Sequence, residues 1–361
     1  MNVRASHFCR APFEHLEISS SGDVHLCCPG WVQGPVGNLG EQNLEEIWQG
    51  EKAKALRASV MNGSYSQCFT HMCPHLQALD SGAKRAPYSP IESFEAPRSP
   101  HAKKIASGET PTGPANVNVA FDVTCNLSCP SCRKGPLGLR PASPEWQKAE
   151  KMANSIIAAY PQIRRLKIAG NGDPFASRLY WKMLTSIDKA LHPSMRVMLH
   201  TNAMLFTPDR WKELSKAHGL IDTIEVSIDA ATAETYALNR RGGSFETLLE
   251  RLAFLAKLRE SGAIQRFIVS FVVQANNFRE MPAFIELGRG AKADVISFGR
   301  LNDWGSFPAT ILANRSVHRS EHPEHAEFVQ VLSAPVFGES DVFVGNLSEF
   351  RPLKTASSPA V

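Results

Sequence analysis

The 361-residue sequence predicts an α/β protein: a parallel sheet covered by helices, preceded by a small cysteine-rich α+β region. Three observations predict it. From about residue 115, short apolar segments alternate with helical ones through six β units, the pattern of a sheet buried on both faces. Residues 83–114 are rich in Pro, Ser, Gly and Lys with no period, and read as a linker. Residues 1–82 hold five of the eight cysteines, Cys9, Cys27, Cys28, Cys68 and Cys73, among turn residues, too short a stretch for a large core of its own.

Lys plus Arg is 39 and Asp plus Glu is 35, a formal charge of +4, too weak to argue for nucleic acid or a membrane surface. The start, MNVRASHFCRAPFEHLEI, lacks the apolar run of a signal peptide, and no later stretch approaches the length of a membrane span. The expected location is the cytoplasm. Structural disulfides are disfavoured there, so the cysteines point to metal binding.

In chain order, HLEISS and DVHLCC predict a hairpin turning at Ser21–Gly22. Asn43 caps a helix and Glu46 completes its capping box. The run LEEIWQGEKAKALRASV then places Leu44, Ile47 and Trp48 on one face with Leu56 further along, and Gly63 stops it. Strands are expected at 117–123, 164–169, 195–200, 221–228, 265–273 and 294–298, with helices near 144–159, 176–190, 208–218, 244–260 and 278–289. These define a portion at 115–302. The extension, 303–361, is less regular: HPEHAEFVQVL reads as a helix, DVFVGNL as a short strand and turn, and KTASSPAV as a frayed end.

Just after the first of the six strands comes DVTCNLSCPSC, with Cys125, Cys129 and Cys132 spaced C-x3-C-x2-C. Sites in parallel sheets gather at that end of the strands. Three thiolates hold three corners of a [4Fe–4S] cube and leave one iron open, and an open metal position signals chemistry. A mononuclear zinc site with His101 or His200 as fourth ligand, or inert buried thiols, are the alternatives. The spacing differs from the C-x2-C pairs of structural zinc sites.

In this context the triad resembles that of radical S-adenosylmethionine (SAM) enzymes, over about 115–300. The resemblance implies a partial, TIM-like (β/α)6 barrel. AGNGDP, 169–174, stands where the family has a glycine-rich motif often ending in Gly-Glu-Pro, with Asp173 in place of the glutamate. It implies that Gly170, Asn171, Gly172 and Asp173 receive the amino group of SAM. HTNA, 200–203, is similar to the family's Thr-Asn-Gly and puts Asn202 at the sheet mouth. SIDA, 227–230, is similar to Ser-(Leu/Ile)-Asp, implying Ser227 at the carboxylate or ribose of SAM and Asp229 facing the substrate. Arg240 and Arg241 are candidates for a carboxylate clamp, or are solvated helix-end arginines. Gln274, Asn276, Arg300, Asn302 and Trp304 follow the fifth and sixth strands and are candidate ligand contacts. The chemistry implied is chelation of the open iron by SAM, its reductive cleavage, and hydrogen abstraction by the 5′-deoxyadenosyl radical. The electron would come from a donor such as flavodoxin or ferredoxin.

Residues 8–76 resemble the SPASM domain or its shorter "twitch" form. The matching features are the Cys-x-x-Pro-Phe opening from Cys9 to Phe13, Gly-x4-Cys-Cys, GNLGEQNLEEIWQGEK and the closing cysteine pair. This implies an auxiliary [4Fe–4S] cluster on Cys9, Cys27, Cys68 and Cys73, fully ligated and suited to electron transfer. Zinc in the same four thiols is the alternative. Two departures stand out: the region precedes the barrel, and the cysteine count fits one auxiliary cluster. Cys28 is left as a spare thiol, a substitute for Cys27, or a hydrogen-atom donor of the kind some family epimerases use. The expected function is net oxidation or bond formation on a small metabolite or a peptide. Epimerisation through Cys28, peptide maturation, and a non-catalytic electron-transfer or scaffold role are the alternatives. Residues before the barrel are taken up by cysteines and linker, with no separate leader-peptide domain expected. That leaves amino sugars, amino acids and nucleosides open as substrates.

Overall fold

A computed structural model describes residues 8–80, 94–95, 112–135, 137–168 and 170–351. The linker expected at 83–114 lies mostly outside the described residues, as do His101 and the end at 354–361. Alternating side chains and short turns make the strands β1 (Phe8–Cys9), β2 (His15–Ile18), β3 (Asp23–His25), β4 (Gly37–Asn38), β5 (Phe94–Glu95), β6 (Asn116–Val119), β7 (Arg165–Ile168), β8 (Arg196–Thr201), β9 (Ile221–Ser227), β10 (Arg266–Val273), β11 (Val295–Arg300) and β12 (Val342–Phe343). The chain forms two compact units. One comprises Met1–Asn126, Leu137–Thr201 and Leu205–Ile224, the other Leu127–Pro136, Asn202–Met204 and Glu225–Val361.

In the first unit β6, β7 and β8 are parallel, in the order of the sequence. The hairpin is formed as expected: β2, β3 and β4 make an antiparallel meander that turns at Gly22. This hairpin is part of the same sheet, because β2 pairs in parallel with β6, from His15↔Asn116 to Ile18↔Val119. β1 pairs with β5, so residues 94–95 reach back to the Cys9 strand. Helix Pro144–Ala158 buries Ala149, Met152, Ala153 and Ile156, the 3.6-period stripe of a helix with one covered face. Ser143 and Ser177 start their helices by accepting from the Trp146 and Tyr180 amides.

One expected helix is two. The chain is helical over Leu44–Trp48 and again over Glu51–Met61, with extended backbone at Gly50 between them. Glycine is a weak helix former, and here it starts the second helix instead of continuing the first. The Asn43–Glu46 capping box is present in both directions, at 2.8 and 3.0 Å.

In the second unit β10, β11 and β12 are parallel. Helices Phe245–Glu260 and Met281–Gly290 belong to it, and Phe271, Phe284, Phe298 and Phe337 form its aromatic core, with ring centroids 4.8–5.6 Å apart. The expected helix in the extension spans His325–Leu332, and DVFVGNL gives β12 and a 3-10 turn. A short helix at Ala233–Asn239 was not expected from the sequence. The fold class is the expected one: α/β, with a mixed sheet consistent with a partial barrel strand set and a cysteine-rich antiparallel hairpin. Among the described residues no helix is long and apolar enough to cross a membrane.

Candidate functional site

The four thiols of Cys9, Cys27, Cys68 and Cys73 line one small cavity, together with Trp31 and Tyr65. Three pieces of chain bring them there. Cys9 ends β1, Cys27 follows β3, and the Cys68–Cys73 turn is held by the Phe69 amide donating to the Trp31 carbonyl. All are free thiols. Burial pushes the Cys27 thiol well up, with Cys9, Cys73 and Cys28 adding to it, and burial carries Cys68 to about 12. A metal group binding here must therefore displace protons and bring its own charge. Among the described residues no three thiol, imidazole or carboxylate groups are close enough to hold a single ion. The four thiols nevertheless face one space, and four cysteine thiolates are the donor set of a [4Fe–4S] group.

Cys28 does not line this cavity. It is half-buried, and burial, increased by the charge of Glu17, pushes its thiol to about 11. Glu17 belongs to a polar patch the sequence reading missed. Glu17 is in register with His25 on β3 and with Asn118 on β6, and Asn118 with Lys167 on β7. His15 Nε2 lies 3.8 Å from the Glu17 carboxylate. Burial raises the Glu17 carboxyl, but His15, Asn118 and Lys167 outweigh it, and the net direction is down. His25 Nδ1 and Asn118 Oδ1 are buried without a hydrogen-bond partner among the described residues. The strand runs HLEI and NVNV alternate, so Asn116–Val119 has one polar face where the strands of the parallel sheet were expected to be apolar on both. That period-two pattern was the available signal.

The glycine-rich loop packs directly on the segment leading to Cys125. A Cβ on Gly170, whose φ is +116°, would lie 2.3 Å from the Ala120 Cβ. One on Gly172 would lie 2.3 Å from the Asp122 carbonyl oxygen and 2.8 Å from that of Thr124. Only glycine permits this approach. Asp173 closes it: its amide donates to the Thr124 carbonyl at 2.9 Å, and its carboxylate accepts from the Thr201 hydroxyl at 2.7 Å. Asp122, unnoticed in the sequence although it begins the triad run, is fully buried and accepts from the Thr124 amide and the Ser177 hydroxyl. Cys125 donates its amide to the Leu137 carbonyl.

In the second unit Asp229 is buried with φ +59°, a left-handed conformation that Asp tolerates when hydrogen-bonded locally. Asn239 and Asn277 both donate to its carbonyl at 3.0 Å, and its carboxylate accepts from the Val272 amide and pairs with Arg240 at 2.7 Å. Arg240 Nη1 lies 3.8 Å from the Cys129 sulfur. Burial lowers the Arg240 pKa, but Asp229 and Cys129 overcome it and raise it. Arg133 donates to the Cys132 sulfur at 3.3 Å. Two thiols of the triad thus have a guanidinium donor. Arg241 is exposed and ties the cysteine loop, donating to the Ser128 hydroxyl and the Lys134 carbonyl and accepting from the Ser128 amide.

The family model of the iron–sulfur cluster-binding domain SPASM matches residues 9–74, and that of the radical SAM superfamily matches residues 121–287. The chain belongs to the radical SAM superfamily. Its SPASM domain is N-terminal, and the architecture is that of an enzyme. The cofactors of this radical SAM protein are a SAM-binding [4Fe–4S] cluster and an auxiliary iron–sulfur cluster. No curated protein matches the chain. Among solved structures, SuiB of Streptococcus suis aligns at 14% identity with a TM-score of 0.47, covering 81% of this chain and 63% of SuiB. SuiB bound to precursor peptide SuiA aligns at 13% identity and TM-score 0.42, covering 70% and 53%. anSMEcpe with bound AdoMet and a Kp18Cys peptide aligns at 19% identity and TM-score 0.36, covering 50% and 49%. The chain spans about half the length of the solved structures it matches.

The remaining candidates of the radical SAM portion separate into groups. Gln274 and Asn276 both accept from Arg315, and Asn276 donates to Asn239, which joins them to the network around Asp229. The Ser227 hydroxyl lies 3.4 Å from that of Ser270, and the Asn202 side chain accepts from the Met204 amide. Arg300 pairs with Glu349, while Asn302 and Trp304 are exposed, Trp304 at 69%. Asn239, Asn277 and Arg315 were missed because an isolated Asn or Arg in a helix or loop carries no spacing signal.

Two outcomes follow from the backbone. Gly172→Ala forces the loop off the 122–124 carbonyls and is expected to cost about 1–3 kcal/mol. Denaturant unfolding measures the loss. Ala203 stands where the family has glycine and is held at φ +63°. Ala203→Gly should therefore stabilise by about 1 kcal/mol in the same measurement.

Proposed function

We propose that this enzyme oxidises, or forms a bond within, a small metabolite or a peptide, with the auxiliary cluster receiving an electron from the substrate. The reading is carried by the convergence of Cys9, Cys27, Cys68 and Cys73 on one cavity, a closed ligand set with no position left for substrate. Cys125, Cys129 and Cys132 would hold the second cluster through their C-x3-C-x2-C spacing. When bound with SAM, that cluster supplies the reductive cleavage that yields the hydrogen-abstracting 5′-deoxyadenosyl radical.

The chain's own residues then have three tasks. Gly170 to Asp173 form the backbone shelf for SAM, and Asp229 positions Arg240 at Cys129. Net oxidation also releases a proton, and the imidazole of His25 and the carboxylate of Glu17, paired across the hairpin, are the bases offered for it. The domain limits proposed are 1–82, 83–114, 115–302 and 303–361, the compartment the cytoplasm, and the reductant a flavodoxin or ferredoxin.

Anaerobic reconstitution followed by dithionite and SAM tests the reading. About eight irons per chain and formation of 5′-deoxyadenosine are expected. The Cys125→Ala, Cys129→Ala, Cys132→Ala variant should keep about four irons and make none. Fully loaded protein that yields no 5′-deoxyadenosine would sink it. The position of Cys28 outside the cavity favours a second reading, epimerisation with Cys28 as hydrogen-atom donor. Cys28→Ala should leave turnover intact if the enzyme oxidises. Loss of product with 5′-deoxyadenosine still forming selects epimerisation.

A further inference from the structure

Arg57 lies on helix Glu51–Met61 and is 5% exposed. Its Nε donates to the Pro12 carbonyl at 2.9 Å and its Nη1 to the Trp48 carbonyl at 2.6 Å. Its guanidinium carbon stands 4.4 Å over the Trp48 ring. Nη2 is buried and has no hydrogen-bond partner, and no carboxylate pairs with Arg57 among the described residues. A buried cation with no anionic partner is costly even with two carbonyls and a ring around it. The residues around it say where compensation comes from. Pro12, whose carbonyl it holds, and Val60, one turn along the same helix, both line the cavity of the four thiols. Burial alone acts on the guanidinium and lowers its pKa to about 10.

We infer that Arg57 is the counter-ion of the auxiliary cluster, set one residue behind the cavity wall and raising the cluster's reduction potential. The inference rests on the auxiliary-cluster reading above. Four thiolates around a [4Fe–4S] core carry a net charge of about −2, which becomes more negative on reduction. A fixed cation behind the wall favours the reduced form and makes the cluster a better acceptor. Arg57 acts through the cluster and touches no substrate, so it is a positioning residue.

The test uses the full chain carrying Cys125→Ala, Cys129→Ala and Cys132→Ala, so that only the auxiliary cluster is read. Absence of about four irons in this parent overturns the cluster reading itself. With the cluster present, Arg57→Gln should move its midpoint potential to more negative values in a titration followed by electron paramagnetic resonance. Arg57→Lys should leave it near the parent value. Equal potentials in all three, or equal shifts in both variants, overturn the inference. A second measurement covers a variant that loads poorly: the rise in melting temperature between apo and loaded protein. It should be smaller for Arg57→Met than for the parent and unchanged for Arg57→Lys. A merely structural arginine would lower apo and loaded forms alike and leave that rise the same.

Discussion

The parallel pairing of His15–Ile18 with Asn116–Val119 is the contact on which the arrangement of the first unit depends. It makes the cysteine-rich hairpin a continuation of the sheet that carries the cysteine loop. Because β3 runs antiparallel to β2, Cys27 and Cys28 emerge toward the His15 end of these strands, where Cys9 also arrives through the short helix Ala11–Glu14. Cys125 follows the opposite end of β6. The same strands therefore fix Cys9 and Cys27 at one end and Cys125 at the other, with Glu17, His25 and Asn118 in between. Sheet hydrogen bonds hold register to the residue, since a one-residue slip would put Glu17 and Asn118 on the face of Leu16 and Val117.

At the loop end the governing constraint is backbone proximity. Gly170 and Gly172 leave no space for side chains, so the loop carbonyls and amides of 170–173 stay beside Asp122 and Thr124. Asp173 serves here as a bracket, with Thr201, Thr124 and Phe175 as its partners. The shorter side chain in place of the family's glutamate suits that role, because its reach matches groups of the strand ends themselves. Asp229 is a bracket of the same kind in the second unit. It holds a left-handed turn through Asn239 and Asn277 and presents Arg240 to Cys129. Both acids were singled out in the sequence as candidates for contact with SAM or substrate. Their buried hydrogen-bond partners show them organising backbone and arginine.

Much of this was readable in the sequence because it depends on local chemistry. The capping box at Asn43–Glu46, the turn at Gly22 and the period of each strand are written in neighbouring residues. The cysteine spacings are local too. What was not readable depends on register across distant segments. Nothing in HLEI says that Glu17 will meet Asn118, 101 residues away, yet both lie on strands with a polar alternation. The break at Gly50 was hidden by a continuous helical composition on either side. Cys28 and Cys27 are adjacent in sequence, and only the path of the chain after β3 sends one thiol into the cavity and leaves the other outside it.

The two sets of thiols differ most in their cations. Cys129 and Cys132 have guanidinium groups within hydrogen-bonding reach, but the charge of Arg240 is already matched by Asp229 at 2.7 Å. Arg240 thus donates to its thiol as part of a neutral pair. Arg57 stands behind the auxiliary cavity without such a partner, and its full charge acts on whatever occupies that space. In a medium of low dielectric an unmatched charge is felt further than a matched one. The difference has a direction: it holds an electron more readily at the auxiliary site. That is the direction in which a substrate radical must lose its electron if the reaction is an oxidation.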